Sequence, residues 1–190
     1  VRVALLLTNV TSVDETWTSM HLAAAALRAG HELCVLEPMD FEINRQGRLV
    51  ARVWATDEPP VSVQALTLAL TTQRLARRHI EFSTVDQLLM RVNPLTPTSE
   101  QFCLLAKEQG VRVLNDPAGT ALTRAKAWLA SLPEDVPRPR TVVTGSRAEA
   151  RSFLESSGVT VVVKPTAGSG GRDVTLVPAG RRDILERALS

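Results

Sequence analysis

The sequence is poor in aromatic residues. Phe and Trp together make up only 4% of its 190 residues, and Tyr is absent. Proteins that bind single-stranded nucleic acid without sequence preference stack successive bases on aromatic side chains. The composition therefore argues against such a binding surface, and we expect no nucleic-acid partner.

Cysteine is equally scarce. The two cysteines, Cys34 and Cys103, lie in separate apolar runs, and neither has the CxxC or Cys/His spacing of a metal site. We interpret both as reduced residues of the hydrophobic core, which argues against a disulfide or metal role.

Long hydrophobic runs and a large net charge are also missing. The apolar start Val1–Leu7 is too short for a signal peptide or a bilayer span, so we expect a cytoplasmic protein with no membrane partner. The formal net charge is +2, but residues 121–190 contain 11 Lys and Arg against 7 Asp and Glu. A modestly basic second part suits a polyphosphate ligand better than it suits DNA.

The start of the chain has the pattern of a β-α-β unit. Val1–Thr8 is a nearly continuous apolar run, typical of a strand buried on both faces of a parallel sheet. A helix is predicted over Thr16–Ala29, ended by Gly30, and a second strand over His31–Glu37. This order predicts a right-handed crossover and a doubly wound sheet.

The α/β pattern continues to about residue 120. Phe41–Trp54 is predicted to form two short strands joined at Asn44–Gly47, and Pro59-Pro60 interrupts regular structure. A helix, strand, helix and fourth parallel strand are then predicted over Val61–Ile80, Asp86–Arg91, Thr98–Gln109 and Val111–Leu114. The composition changes near residue 120, which predicts one α/β domain over residues 1–120 and another domain over residues 121–190.

The second domain begins with a short predicted helix that contains Lys126. The pattern predicts this helix over Thr123–Leu132, a strand over Arg140–Thr144, a helix over Ser146–Ser156 and a last helix over Arg181–Leu189. The hydroxyl of Ser146 is a suitable N-cap for the helix Ser146–Ser156, and Gly158 ends that helix.

The stretch Val159–Val177 is the most informative in the chain. Two β-branched runs flank the turn Gly168-Ser169-Gly170-Gly171, so the pattern predicts a strand, a loop and a strand. Glycines allow several backbone N–H groups to converge on one anion, and Lys164 places an ammonium beside the turn. In a P-loop the glycines lead into a helix, whereas Asp173–Val177 has the pattern of a strand. We predict a phosphate-binding flap on a β-hairpin.

Simpler interpretations stay open for these residues. Most glycine-rich hairpin turns are only turns, and a strand-end Lys often serves only to prevent aggregation. Lys126 is compatible with a solvated charge, and Arg91 with a hydrogen bond to a helix C-terminus. No histidine has a triad-like spacing, and the basic cluster is interpreted as a solvated helix face, comprising Arg74, Arg77, Arg78 and His79.

Taken together, the spaced motifs resemble the ATP-grasp superfamily and are most similar to bacterial glutathione synthetase. The motifs are Leu89-Met90-Arg91-Val92-Asn93-Pro94, Asn115-Asp116-Pro117, Lys126, Val163-Lys164-Pro165 and Gly168-Ser169-Gly170-Gly171. The resemblance runs through nearly the whole chain. It implies an α/β fold in which an N-terminal parallel-sheet domain precedes the first, partial α+β subdomain of an ATP-grasp domain.

The resemblance also implies a chemistry. In that family ATP phosphorylates a substrate carboxylate, and an amine attacks the acyl phosphate to form an amide, here from γ-glutamylcysteine and glycine. By the same resemblance Lys126 and Lys164 contact the nucleotide phosphates, and Arg91 and Asn93 face the peptide. The flap residues over the phosphates are Gly168, Ser169, Gly170 and Gly171. The implied cofactors are ATP and Mg²⁺, the implied partners are peptide and amino-acid substrates, and the family commonly forms homo-oligomers.

Two departures from the family pattern keep alternatives open. The family places its Mg²⁺ ligands after the flap, so we expect them beyond Ser190 and expect these 190 residues alone to be inactive. Glu42-Ile43-Asn44 has the letters of that metal motif but lies too far upstream. Downstream of Lys164 the candidate ligands are Asp173 and Asp183.

The second departure, Leu95-Thr96-Pro97, stands where an aromatic and an acid are expected, so the peptide is less well indicated than amide formation. The alternatives are a non-catalytic nucleotide-binding or assembly module, and a ligase that adds amino acids to another peptide or protein.

Overall fold

The computed structural model describes residues 1–55, 62–168 and 170–190. Pro59-Pro60 and Ser169 lie outside the described residues. Contacts within the chain divide it into two compact units, Val1–Thr120 and Ala121–Ser190.

The first unit is built on a mixed sheet of seven strands. The strands are β1 Arg2–Leu7, β2 Glu32–Leu36, β3 Phe41–Ile43, β4 Leu49–Ala55, β5 Ala76–Glu81, β6 Gln87–Arg91 and β7 Arg112–Leu114. Strands β2, β1, β6 and β7 are adjacent in that order and parallel, and β4 pairs antiparallel with β2, β3 and β5. The predicted four parallel strands and the β-α-β start are confirmed.

Helices cover both faces of this sheet. They are α1 Thr18–Arg28, α2 Val63–Thr71 and α3 Pro97–Glu108. The next helix, α4 Pro117–Arg124, runs across the boundary between the two units. Alternate side chains of β1 point to opposite faces, so Leu5 packs in the cluster that contains α1 and α2 residues, and Leu6 packs in the cluster that contains Cys103 of α3. Because both faces are covered, β1 is apolar at nearly every position, as the sequence predicted.

The second unit is a small α+β layer. Its elements are α5 Ala127–Ala130, α6 Arg147–Ser157, β8 Val161–Val163, β9 Thr175–Val177 and α7 Arg182–Ala188. Strands β8 and β9 form an antiparallel pair, and their inner face packs on Leu154 and Leu185. The predicted strand-loop-strand arrangement is confirmed, as is the N-cap, where Ser146 Oγ accepts the Glu149 N–H at 3.3 Å.

Three secondary-structure predictions are wrong, two of them in part and one entirely. The segment predicted as one helix over Val61–Ile80 begins at Val61, which lies outside the described residues. Its described part, residues 62–80, contains α2 and then β5, because the Arg-rich half lies along β4 as a sheet edge. The basic cluster is therefore not a helix face. Arg140–Thr144 forms no strand within the described unit, and the predicted helix Thr123–Leu132 is divided between α4 and α5 with Lys126 at the α5 N-cap.

None of the helices in the described part of the chain combines the length and apolar character that a membrane span requires.

Candidate functional site

The parallel sheet of the first unit changes its winding direction between β1 and β6. The chain leaves β1 through α1 on one face, and leaves β6 through α3 on the other. Open α/β sheets bind ligands beside the carboxyl ends of their strands at such a point. Thr8 follows β1 and Asn93 follows β6 here, and the Asn93 N–H donates to Thr8 Oγ1 at 3.1 Å.

Arg91, the last residue of β6, extends from the same edge of the sheet. Its Nε–H donates to Ser19 Oγ in the first turn of α1, at 3.1 Å. The bond is to the start of a helix, and not to a helix C-terminus as the simpler interpretation supposed. Arg91 is exposed and has no ion-pair partner among the residues that the structure describes, so its terminal nitrogens are available to an anion.

The loop after β1 is held by a carboxylate on the neighbouring strand end. Glu37 Oε1 accepts the Val10 N–H at 2.7 Å, and the Glu37 N–H donates to Asp40 Oδ2 at 2.8 Å. Asp40 is buried and forms an ion pair with Arg77, whose guanidinium lies 3.5 Å from the ring centre of Trp54. This network fixes the loop beside the carboxyl end of β1.

Lys126 lies directly against the flap of the second unit. Its backbone N–H donates to the Thr166 carbonyl at 2.9 Å, and its ammonium donates to the carbonyls of Ala167 at 3.2 Å and Gly168 at 2.8 Å. The structure therefore brings together Lys126 and the glycine loop, which are far apart in sequence. Among the described residues the contacts of the Lys126 ammonium are to neutral carbonyl oxygens.

The glycines of the flap have backbone conformations that other residues rarely adopt. Gly168, Gly170 and Gly171 have φ angles of +100°, +69° and +74°. A Cβ atom built on any of them would have no atom within 4 Å, so the requirement for glycine comes from the backbone and not from crowding. The open space over these residues is compatible with an anion approaching their N–H groups.

One face of the β8–β9 pair is apolar and exposed. Val162 and Leu176 are directly opposite each other across the strands and are 54% and 64% exposed. Val161 and Val163 pack on the buried side, so by alternation Lys164 follows on the face of Val162. The β8–β9 pair thus presents an exposed apolar surface, with Lys164 at the end of β8.

The described residues do not form a metal site. No three His, Cys, Asp or Glu side chains among them are grouped closely enough to hold a metal ion. Both carboxylate oxygens of Asp183 accept hydrogen bonds from the Arg181 guanidinium, at 2.8 and 2.7 Å. This guanidinium lowers the pKa of the Asp183 carboxyl to about 2. Asn44 accepts the backbone N–H groups of Gln46 and Arg48 within the turn after β3, so its side chain has a structural use.

Sequence reasoning missed Thr8, Ser19 and Glu37. Each acts through a contact between residues distant in sequence, and no motif in the chain marks these positions. Burial of a serine inside an Ala/Leu-rich helix is visible only once the helix is placed on the sheet.

Comparison with known proteins gives a consistent result. Residues 1–120 match the family described as prokaryotic glutathione synthetase, N-terminal domain. A curated relative, the glutathione synthetase of Thermosynechococcus vestitus, is 27% identical over 195 residues, covering 96% of this chain and 58% of the relative. The chain thus spans little more than half the length of that relative.

Solved structures extend the likeness to the whole chain. A RimK domain ATP-grasp protein from Sphaerobacter thermophilus has a TM-score of 0.60 at 19% identity, covering 100% of this chain and 57% of that one. The VanG D-Ala:D-Ser ligase from Enterococcus faecalis has a TM-score of 0.57 at 16% identity, covering 99% of this chain and 58% of that one. At these identities the likeness shows the fold, in which an α/β domain precedes part of an ATP-grasp domain.

Proposed function

The chain belongs to the prokaryotic glutathione synthetase family, and we propose that its protein is an ATP-dependent carboxylate–amine ligase that joins γ-glutamylcysteine to glycine. The observation that carries the proposal is the contact of the Lys126 ammonium with the flap at Ala167 and Gly168. It places a cation beside a loop of glycine N–H groups, which is a combination suited to a polyphosphate.

In this proposal the phosphates of ATP replace the carbonyls as acceptors of the Lys126 ammonium. A phosphate oxygen is the stronger acceptor, because hydrogen bonds between ionised groups are roughly twice as strong as neutral ones. Lys164 adds a second positive charge, and the N–H groups around Gly170 and Gly171 add donors. Phosphoryl transfer depends mainly on such positioning and charge neutralisation.

The base of the nucleotide would lie on the apolar face formed by Val162 and Leu176. Covering these side chains removes exposed apolar area from water, which favours binding. This assignment gives the β8–β9 pair a function on both faces: one packs in the core, and the other receives the base.

Arg91 and Asn93 are proposed to bind the peptide at the carboxyl edge of the sheet. A guanidinium recognises a carboxylate through two parallel hydrogen bonds, and the terminal nitrogens of Arg91 are available for this. The Asn93 side-chain amide both donates and accepts, so it suits a peptide group.

The reaction forms two bonds in sequence. A carboxylate oxygen of the peptide attacks the γ-phosphorus, and the bond from that phosphorus to ADP breaks. The glycine nitrogen then attacks the acyl carbon, phosphate leaves with the bonding electrons, and the nitrogen loses a proton. The family uses Mg²⁺ to neutralise phosphate charge. The described residues contain no cluster of ligands that could hold this ion.

A coupled assay tests the proposal on the full-length encoded protein. We expect ADP release that requires ATP, γ-glutamylcysteine and glycine together, with glutathione formed in equal amount. ADP release with other acceptors but not with γ-glutamylcysteine would indicate a ligase of different specificity. ATP binding without turnover of any carboxylate and amine would contradict the ligase and leave a binding module.

A further inference from the structure

Ser19 is an unusual residue for its position. It lies in the first turn of α1 and is 5% exposed, while the other buried positions of that helix are the apolar Met20, Ala23 and Ala24. A buried hydroxyl costs free energy unless it is hydrogen-bonded. The partner that the structure gives Ser19 is the Nε–H of Arg91, at 3.1 Å.

This bond leaves the useful part of the Arg91 side chain free. A guanidinium carries five N–H groups, of which Nε contributes one and the two terminal nitrogens contribute four. When Nε–H is held, rotation of the guanidinium is restricted, and the terminal nitrogens favour one direction. Fixing a flexible side chain before the ligand arrives lowers the entropy lost on binding.

We infer that Ser19 is a positioning residue, whose hydroxyl accepts the Arg91 Nε–H and directs the two terminal nitrogens toward a carboxylate of the substrate. The inference rests on the proposed function, since it deepens the role given to Arg91 there. It predicts that α1 contributes to substrate binding through a side chain that does not itself touch the substrate.

The chain offers a matched control in Ser99. It is also a buried serine in the first turn of a helix, 1% exposed, but its hydroxyl pairs with Thr96 Oγ1 at 2.8 Å. Ser99→Ala therefore removes the same group from the same kind of place without touching Arg91. Both substitutions are expected to lower the melting temperature.

Steady-state kinetics of the full-length protein separate the two variants. Ser19→Ala is expected to raise KM for γ-glutamylcysteine about tenfold, the range for a lost hydrogen bond to a charged group, with KM for ATP and kcat changed less than twofold. Ser99→Ala should leave all three constants within twofold of the wild type. An equal rise in the peptide KM for both variants would overturn the inference, because loosening of the fold would explain it.

Combination with Arg91→Ala tests whether Ser19 acts through Arg91. The double variant Ser19→Ala/Arg91→Ala should have the same peptide KM as Arg91→Ala alone, since the serine then has nothing to position. Independent, multiplying effects would overturn the inference. Should Ser19→Ala not fold, Ser19→Cys keeps the size of the side chain but replaces the hydroxyl with a weak acceptor, and it is expected to raise the peptide KM while leaving KM for ATP unchanged.

A readout independent of activity distinguishes this inference from the proposed function. In ¹⁵N spectra of arginine side chains, the Arg91 Nε–H signal, assigned with Arg91→Lys, should exchange slowly with water in the wild type and rapidly in Ser19→Ala. Ser99→Ala should leave it slow. Rapid exchange in the wild type would refute the bond itself, whereas slow exchange in a protein that does not turn over γ-glutamylcysteine would refute only the proposed function.

Discussion

The ammonium of Lys126 lies 2.8 Å from the carbonyl oxygen of Gly168, so the cation proposed to bind phosphate also ties down the flap. The ammonium also donates to the Ala167 carbonyl, and the backbone N–H of Lys126 donates to the Thr166 carbonyl in the same loop. In the proposed site ATP would replace these contacts of the Lys126 side chain, whereas Lys164 has no such contacts among the described residues.

The first prediction compares Lys126→Met with Lys164→Met. Each should weaken ATP binding in the full-length protein by about 1.5–3 kcal/mol, the usual cost of a lost charged hydrogen bond. Only Lys126→Met should also speed hydrogen exchange at residues 166–171 without nucleotide, because Lys164 has no side-chain partner among the described residues. Calorimetry and hydrogen exchange measure these effects. Unchanged ATP affinity in both variants would indicate that the two lysines are only solvated surface charges.

The flap glycines should matter for binding and little for folding. Gly170→Ala and Gly171→Ala place a side chain at positive φ, which costs roughly 1–2 kcal/mol per residue unless the loop changes shape. The space around them is open, so the loop is expected to relax and its N–H groups to turn away, weakening ATP binding with a small change in melting temperature. Gly145→Ala, at a glycine without positive φ, is the control and should change neither quantity.

Asp40 should be important for the stability of the first unit. Its carboxylate is buried and is paired with Arg77, with Arg52 at 3.7 Å and the Glu37 N–H at 2.8 Å. Asp40→Ala leaves those donors without their acceptor, and removing one partner of a buried pair typically costs about 3–5 kcal/mol. Because Arg77 is partly exposed, we expect the loss of unfolding free energy, measured by urea denaturation, to be at the lower end of that range. Glu42→Ala, which removes an exposed carboxylate nearby, should cost less than about 1 kcal/mol.

The Arg181–Asp183 pair predicts an acid-dependent contribution to the stability of the second unit. The guanidinium lowers the Asp183 pKa to about 2 in the folded protein, below its ordinary value of 3.8. A lowered folded-state pKa gives stability that is present above the unfolded-state value and is lost as pH falls toward 2. The melting-temperature difference between wild type and Asp183→Asn should thus be constant above about pH 5 and shrink between pH 4 and 2. Asp135→Asn, which removes one exposed carboxylate elsewhere in the second unit, is the control for the change in net charge.

The two thiols should be unreactive in the folded protein. Burial raises the pKa of Cys34 to about 11 and that of Cys103 to about 12, so both are protonated at neutral pH. The thiolate is the reactive form, and neither sulfur is accessible. A disulfide reagent at pH 8 should modify no thiol in native protein and both in urea. Rapid modification of either thiol in native protein would contradict its assignment to the hydrophobic core.

Much of the fold could be predicted because its signals are local. The apolar run of β1, the helix ended by Gly30 and the flap between β8 and β9 each show a period or a turn within a few residues. The segment Val61–Ile80 could not be predicted as well, because short apolar and basic stretches have no clear period. Its second half is a strand only because β4 offers a pairing edge.

The candidate site was predictable only where a motif marked it. Lys126, Lys164 and the flap glycines are recognisable from their spacing, and their nucleotide role stays a prediction. Ser19 and Thr8 depend on where helices and strand ends meet, which a single sequence does not contain. The same holds for the Lys126 contact with Gly168, whose two residues are joined by tertiary structure.

Strand β5, with its sequence Ala-Arg-Arg-His-Ile-Glu, pairs with β4 along one side, and no described strand lies along its other side. Charged side chains on an open strand edge disfavour the addition of a strand from a second molecule. The basic residues of β5 therefore oppose extension of the sheet from one molecule to the next. Replacing Arg78 with an uncharged β-former would therefore favour association through this edge, while the Arg77–Asp40 ion pair stays in place.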